Sequence, residues 1–264
     1  MLFYDFEVFK YDWLVVVIHM TEKKEYVIVN DRAALEKLYQ DNVNDIWTGF
    51  NSRHYDQYIL KGILCGFDPK RINDYIIIRN QPGWKFSSMF RDIPLNNYDV
   101  MANIDRGLKV FEGFLGNNIK ETSVPFDIDR KLTQAEIEET IKYCRHDVEQ
   151  TIEVFMQRKE DFTAHMGLVK LACQGKGLDL SLISKTNAQL AAVILDATQR
   201  EHNDEFDIDF PDTLEIKKYT AVMDWYKNPD NHCYSRHVPG KKTPEKMQLN
   251  ITVAGCPHTF AWGG

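Results

Sequence analysis

The sequence opens with MLFYDFEV (residues 1–8), an apolar and aromatic run that carries two carboxylates, Asp5 and Glu7. Successive side chains of a β-strand point to opposite faces of a sheet, so Asp5 and Glu7 are predicted on one face and Tyr4 and Phe6 on the other. Two neighbouring like charges repel each other unless a cation lies between them. A lone pair of acids on a strand is most often solvated at a sheet edge, so its meaning depends on acids elsewhere in the chain.

The segments after this strand predict a sheet with helices around it. Residues 13–20 and 26–30 are rich in Val, Ile and Tyr, which predicts a meander of three antiparallel strands together with residues 1–8. Residues 46–50 and 97–101 are two further short strand candidates. Helical spacing of apolar residues occurs at residues 31–40, 58–66, 108–115 and 133–158. This order predicts an α/β domain with a mixed five-stranded sheet flanked by helices.

The clearest helix signal divides the chain. Thr133 and Glu136 fit a capping box at the start of the last of these helices. After that helix the composition changes to shorter helical stretches and loops rich in Pro, Asn and Gly. We therefore predict one domain over residues 1–160 and a mostly helical extension over residues 161–264.

The bulk composition excludes several classes of protein. No apolar run reaches about 18 residues and no signal peptide is readable, so we expect a cytoplasmic protein without a membrane span, and a monomer. The five cysteines lack a CxxC pair, which predicts free thiols. The net charge of -7 argues against a protein that coats nucleic acid through a general positive field. It is compatible with a nuclease, because metal-binding acids contribute negative charge.

Two more acids are candidate partners for Asp5 and Glu7. Asp56 lies at the start of a helix that follows a buried strand, where it could also act only on the helix dipole. Tyr143 and Asp147 are four residues apart on the predicted long helix and therefore share a face. Asp147 borders the apolar stripe of that helix, where a carboxylate needs a partner. Four acids on three elements are enough to hold two divalent metal ions.

These motifs resemble those of the DEDD superfamily of 3′–5′ exonucleases. Asp5-Phe6-Glu7 is similar to its first motif, Asn51-x-x-x-Tyr55-Asp56 to its second, and Tyr143-x-x-x-Asp147 to its third in the tyrosine variant. The resemblance implies a ribonuclease H-like fold. More narrowly, the chain resembles the proofreading domain at the N-terminus of phage and prophage B-family DNA polymerases, including Tyr98-Asp99-Val100-Met101 and Leu108-Lys109 between the second and third motifs.

The resemblance implies a two-metal-ion hydrolysis of the 3′-terminal phosphodiester of single-stranded DNA, which releases nucleoside monophosphates. Two Mg²⁺ or Mn²⁺ ions are the expected cofactors, since all four ligands are hard carboxylate oxygens. Asp5 would contact both ions, Glu7 and Asp147 would complete one site, and Asp56 would complete the other. Tyr143 would orient the attacking water or the scissile phosphate.

Four residues are candidates for contacting nucleic acid. Asn51 and Tyr55 could contact the last bases of a single strand, although Tyr55 could equally be a core aromatic at a helix start. Phe6 could wedge between the terminal bases, but an apolar strand residue is more often core. Lys109 could touch the scissile phosphate, but a solvated helix lysine is the commoner case.

The last residues suggest a longer parent protein. The stretch TFAWGG (residues 259–264) resembles the segment that leads into the polymerase domain of the phage enzymes. We therefore expect this chain to be part of such a polymerase in a bacterial host cell, with the remainder of the polymerase as its partner. Motifs of a polymerase palm are absent from the sequence, so no polymerase activity is expected in this chain.

Three alternatives remain open from the sequence. A free-standing exonuclease acting on RNA or DNA would carry the same motifs, because none of them reports on a 2′-hydroxyl. A non-catalytic nucleic-acid-binding module would be marked by missing motif acids, and none is missing. The third alternative is a binding module whose C-terminal part is held together by a zinc ion. The candidate ligands have irregular spacing and are His232, Cys233, His237, Cys256 and His258.

Overall fold

A mixed five-stranded sheet organises the first part of the chain. The computed structural model describes residues 1–101, 106–117, 122–197, 206, 208–241 and 243–262. The strands are β1 (Leu2–Val8), β2 (Trp13–His19), β3 (Lys24–Val29), β4 (Ile46–Gly49) and β5 (Asn96–Asp99). Their order across the sheet is β3-β2-β1-β4-β5. The first three strands pair antiparallel, whereas β1, β4 and β5 run parallel, an arrangement consistent with a ribonuclease H-like fold and with the predicted fold class.

Helices cover both faces of this sheet. Helix α1 (Arg32–Asp41) and helix α2 (Asp56–Leu64) pack on the face that receives the even-numbered residues of β1. Three helices follow β5 in the chain: α4 (Leu108–Leu115), α5 (Gln134–Gln157) and α6 (Lys159–Ala172). Helix α5 packs across β1 and β2 on the opposite face, against Phe3, Leu14 and Val16. The alternation predicted for residues 1–8 is thus confirmed, and β1 is enclosed between two cores.

The sequence pattern predicts no helix or strand between α2 and β5, but this segment is largely helical. It contains helix α3 (Pro69–Asn73), a π-helical turn over Asp74–Ile78, and 3₁₀ turns at Gly83–Lys85 and Ser88–Asp92. Aromatic side chains of this segment pack against α2, and the ring of Phe86 stacks on that of Phe90 with 6.0 Å between the ring centroids. Short turns of this kind carry too few residues for a readable apolar period.

The first compact unit extends to residue 197, beyond the predicted boundary at residue 160. Helix α6, a 3₁₀ turn at Leu180–Ser184 and helix α7 (Asn187–Ile194) belong to it. The ring of Phe162 lies 4.9 Å from that of Tyr98, and the backbone N–H of Asn97 donates to the Ser184 hydroxyl at 3.0 Å. These residues cover the β5 edge of the sheet, which would otherwise expose apolar and backbone polar groups.

The second unit spans Thr198–Gly264 and is built differently. It contains helix α8 (Thr220–Lys227), a short pair of strands, β6 (Ser235–Arg236) and β7 (Glu245–Lys246), and a hairpin of β8 (Gln248–Val253) and β9 (Cys256–Ala261). Helices therefore dominate the extension only as far as α8, and the two antiparallel pairs were not predicted. Trp262 packs edge-on against Tyr226, with ring centroids 5.0 Å apart. The Gly-Gly end of the predicted polymerase lead-in lies outside the described residues.

Two sequence expectations about the whole chain have structural counterparts. All five cysteines are free thiols, as predicted. Within the described part of the chain, no helix combines the length and the apolar character that a membrane crossing requires.

Candidate active site

Four carboxylates from three separate elements line one cavity of about 610 Å³. Asp5 and Glu7 come from β1, Asp56 from the first turn of α2, and Asp147 from the middle of α5. These are the four acids that the sequence predicts as metal ligands. The parallel pairing of β1 with β4 brings the start of α2 beside β1, and the packing of α5 on β1 brings Asp147 to the same place.

The two strand acids are held in a confined environment. The Glu7 side chain is buried and Asp5 is partly buried, and both face α5. Burial raises the pKa of Asp5, and the negative charges of Asp56, Glu7 and Asp147 raise it further. Burial also raises the pKa of Glu7, with Asp147 and Asp56 adding to the shift. The carboxylates are therefore destabilised in their charged forms unless a cation is present.

Asp56 is anchored to the strand that carries the first motif. Its Oδ1 accepts a hydrogen bond of 3.2 Å from the backbone N–H of Phe6, the residue between the two strand acids. The side chain is buried, and burial raises the pKa of Asp56 to about 7 despite the opposing backbone hydrogen bonds. Its location at the N-terminus of α2 favours a negative charge. The acid is thus oriented by backbone contacts.

Helix α5 contributes Asp147 together with Tyr143. The Oδ1 atom of Asp147 is buried and has no hydrogen-bond partner among the described residues. Burial raises the pKa of Asp147 to about 6, and the neighbouring Tyr143 hydroxyl opposes this shift. Burial and the negative charge of Asp147 raise the pKa of Tyr143 well above its usual value. Tyr143 therefore remains a neutral hydroxyl donor beside an acid with a free, buried oxygen.

A thiol of α5 that the sequence analysis did not single out also belongs to this site. The buried Cys144 lies with its Sγ 3.3 Å from the Asp5 carbonyl oxygen and 3.6 Å from Asp5 Oδ2, and donates to that residue. Ligand atoms of Asp5, Glu7 and Cys144 all lie within 4.8 Å of one another. Burial raises the pKa of the Cys144 thiol, and only a thiolate is a strong metal ligand. The carboxylates are therefore the fitting ligands for a hard divalent cation.

A fifth acid, Asp99 at the end of β5, has a different task. Its Oδ1 accepts from the backbone N–H groups of Asn51 and Met101, both at 2.9 Å, and its Oδ2 accepts from that of Arg53 at 3.0 Å. Asn51 has a positive φ of 58°, a conformation that asparagine tolerates better than most residues. Asp99 thereby fixes the loop between β4 and α2, which carries the second motif to the cavity.

Substitution of Asp99 measures how strongly this loop depends on it. Asp99→Ala is expected to lower the free energy of unfolding by about 3 kcal/mol, because three backbone donors lose a buried charged acceptor. Asp99→Asn keeps one acceptor oxygen, so it should lose only about 1–2 kcal/mol. Urea unfolding followed by tryptophan fluorescence compares the two variants with the native chain. Unchanged stability of Asp99→Ala would contradict this role.

Helix α4 packs against α5 beside two buried polar side chains, Glu112 and His146. Glu112 is fully buried, and its Oε2 lies 3.5 Å from Nε2 of His146. At the end of α4, Asn117 Nδ2 donates at 2.7 Å both to Gln150 Oε1 and to Glu153 Oε2. This docking brings Lys109, one turn before Glu112, to the rim of the site.

The four residues that are predicted to contact nucleic acid differ in their surroundings. Asn51 and Tyr55 line the cavity, and the Tyr55 hydroxyl donates to Asn73 Oδ1 at 2.8 Å. Phe6 also borders the cavity, but only 3% of it is exposed because it packs in the core beneath β1. The Lys109 ammonium lies 5.4 Å from the centre of the Tyr143 ring, and its charge lowers the pKa of both Glu7 and Asp147. Lys109 is therefore part of the electrostatic setting of the acids.

In the described part of the chain, the C-terminal cysteine and histidine side chains do not form a group with metal-ligand spacing. Among the residues that the structure describes, Asp5, Glu7 and Cys144 form the only group of three or more potential ligands whose ligand atoms all lie within 4.8 Å of one another. Two of the residues considered for zinc are engaged elsewhere: a ring nitrogen of His232 bonds to the Tyr226 carbonyl and one of His258 to the Cys256 carbonyl.

Comparison with known proteins adds no relative. No protein-family model, no curated protein and no solved structure matches this chain.

Proposed function

We propose that this chain is a metal-dependent 3′–5′ exonuclease that hydrolyses the terminal phosphodiester of single-stranded DNA. The observation that carries the proposal is the convergence of Asp5, Glu7, Asp56 and Asp147 on one cavity, with Tyr143 beside them. Buried like charges are unfavourable by themselves, and phosphodiester hydrolysis on divalent metals is a function that requires such a cluster. The order of the three motifs along the sequence supports the same function.

The donor set fits Mg²⁺ or Mn²⁺. Hard cations prefer carboxylate oxygens, and the four acids offer up to eight of them. The buried Oδ1 of Asp147 has no partner in the described part of the chain, as expected of an atom that awaits a cation. Asp5, Glu7, Asp56 and Asp147 would hold the ions. When bound, such ions supply an activated water and stabilise negative charge on the leaving 3′ oxygen.

The protein groups around the acids have complementary tasks. Tyr143, neutral because its pKa is raised, can donate a hydrogen bond to the attacking water or to a phosphate oxygen. Lys109 adds a positive charge near Glu7 and Asp147, where the negative charge of a substrate phosphate would approach. The Cys144 thiol and the Phe6 backbone N–H hold Asp5 and Asp56 in place. These groups therefore fix the positions of the acids and the charge around them before a substrate binds.

We further propose that the chain is the proofreading part of a phage-type B-family DNA polymerase. Its first unit would be the exonuclease, and its second unit would begin the polymerase region. This part of the proposal is supported by the sequence resemblance of the motifs and of the C-terminal stretch.

The decisive experiment follows the shortening of a 5′-labelled single-stranded DNA with Mg²⁺ or Mn²⁺. A ladder that shortens from the 3′ end, and that disappears with EDTA, supports the exonuclease. A single-stranded RNA of the same sequence, run in parallel, distinguishes a DNA enzyme from an RNA-trimming one. Failure of the folded protein to shorten either substrate would contradict the proposed activity.

Tyr143 gives a prediction about the chemical step. Tyr143→Phe removes one hydroxyl donor and is expected to lower kcat about 10- to 100-fold, with little change in KM. The phenyl ring keeps the packing against Lys109, so the thermal midpoint should stay near that of the native chain. Single-turnover release of the terminal nucleotide measures the effect. A native rate in Tyr143→Phe would exclude a part for the hydroxyl in the reaction.

A further inference from the structure

A second cavity, of about 310 Å³, lies between β5, the loop that follows β4, and helices α6 and α7. None of the four candidate metal ligands lines it. The charged side chains in its lining are two arginines, Arg53 and Arg158, and one acid, Asp161. We call this space the arginine cavity. Its volume is that of a site for a small molecule.

The guanidinium of Arg53 is incompletely paired. Its Nε is buried and has no hydrogen-bond partner in the described part of the chain, and its Nη2 donates a long bond of 3.5 Å to the Lys185 carbonyl. None of the ion pairs among the described residues includes this guanidinium. A guanidinium is always charged, and a buried charged donor without an acceptor is costly. The arrangement therefore favours an anion as the partner of Arg53.

Arg158 adds a second positive charge, held in a fixed position. Its Nη1 donates to the Val100 carbonyl, and its Nε and Nη2 lie 3.0 and 2.9 Å from Asp161 Oδ2. The Asp161 side chain is 59% exposed, so water screens much of its negative charge. The charged groups that line the arginine cavity thus have a surplus of positive charge.

The remaining lining fits an anion that carries an organic group. Thr186 and Asn187 place the start of α7 at the cavity. The first N–H groups of a helix have no acceptor within it, and the helix dipole favours negative charge there. Ala164 and Leu168 of α6 supply an apolar part of the wall.

We propose that the arginine cavity binds a phosphate dianion, either free or as the end group of a small monoester. The Nε and Nη2 groups of a guanidinium form a fork that fits two oxygens of a phosphate. A dianion balances two arginines better than the single charge of a phosphodiester does. The four candidate metal ligands lie outside this cavity, so the inference goes beyond the proposed exonuclease and does not depend on it.

Isothermal titration calorimetry in EDTA tests the site. The probes are inorganic phosphate, thymidine 5′-monophosphate and, as the uncharged comparison, thymidine. Without metal, the acids of the carboxylate cavity repel a phosphate, so binding there is disfavoured. The site variants are Arg53→Met and Arg158→Met. The matched controls, Arg79→Met and Arg91→Met, each remove the same charge from an exposed arginine that does not line the arginine cavity.

The native chain should bind one phosphate-bearing probe with a Kd below about 1 mM, and thymidine should not bind. Arg53→Met should raise this Kd at least about 10-fold, Arg158→Met should also raise it, and both controls should bind like the native chain. Tighter binding of the nucleotide than of inorganic phosphate would identify a monoester as the ligand. Equal binding would identify the phosphate group alone.

A stability measurement separates loss of binding from loss of the fold. Arg53→Met removes a charge that has no partner, so without phosphate it should resist urea at least as well as the native chain. Lack of phosphate binding by the folded native chain, or equal Kd values for the native chain and both site variants, would overturn the inference. Neither result changes the case for the exonuclease, which the shortening of labelled DNA tests separately.

Discussion

The double variant Asp5→Asn with Glu7→Gln is expected to release nucleotides from single-stranded DNA about 10³-fold more slowly than the native chain. Both amides preserve the size of the side chains, but they remove two of the four negative charges that would hold divalent metal. Loss of metal removes several kcal/mol of transition-state stabilisation, which corresponds to this factor. Initial rates on 5′-labelled DNA, resolved on a gel, measure it.

A control separates the loss of charge at the site from the loss of charge in general. Glu36→Gln with Asp41→Asn changes two exposed acids of α1 by the same total charge and should keep the native rate. The site variant should be at least as stable as the native chain without metal, because it removes buried repulsion. A site variant that is folded and as fast as the control would show that Asp5 and Glu7 do not serve the reaction.

In EDTA, acidification from about pH 8 to about pH 5 is expected to stabilise the native chain by about 3 kcal/mol. Burial raises the pKa of Asp56 to about 7 and that of Asp147 to about 6, from a usual value of 3.8. The folded chain therefore keeps protons that the unfolded chain has already released. This stability is fully present below the usual pKa of aspartate and is lost as the pH rises through about 6 to 7.

Urea unfolding at several pH values, followed by tryptophan fluorescence, measures this dependence. The Glu136 carboxylate does not offset this stabilisation at pH 5. Arg130 lowers the pKa of Glu136 to about 2, so the stability that this carboxylate contributes is lost only below the usual pKa of glutamate. Asp56→Asn with Asp147→Asn should remove most of the pH dependence, and Mg²⁺ should restore stability to the native chain at pH 8. A native chain that becomes more stable with rising pH in EDTA would contradict the buried-acid account.

Local sequence signals were sufficient for the elements that hold the site. The alternation in residues 1–8 is confirmed by the two cores on either side of β1, and the capping box of Thr133 and Glu136 begins α5 as predicted. Helix α4 covers the predicted residues 108–115, and Gly116, with a φ of 75°, ends it. Strong periodicity and specific caps act within one or two turns, so they can be read without knowing the rest of the fold.

Other features depend on contacts that no local pattern reports. Asp99 looks like a fifth candidate ligand, but its acceptors are used by backbone donors of a loop about 50 residues earlier. The Cys144 thiol is not among the predicted site residues, although its position one turn before Asp147 on the same helix is a usable signal. The predicted boundary at residue 160 excludes α6 and α7 from the first unit, because their attachment to the sheet through Phe162 and Ser184 consists of tertiary contacts.

The sheet topology also has a consequence for the order in which the molecule folds. The Cys144 thiol bonds to the carbonyl of Asp5, a partner 139 residues away in sequence. Contacts over such separations form slowly, whereas the hairpin of β1 and β2 is local. During synthesis from the N-terminus, β1 can pair with β2 long before α5 exists, and Asp5 and Glu7 then remain hydrated. The candidate active site is therefore expected to close only in a late folding step, when α5 packs on β1 and removes water from Asp5 and Glu7.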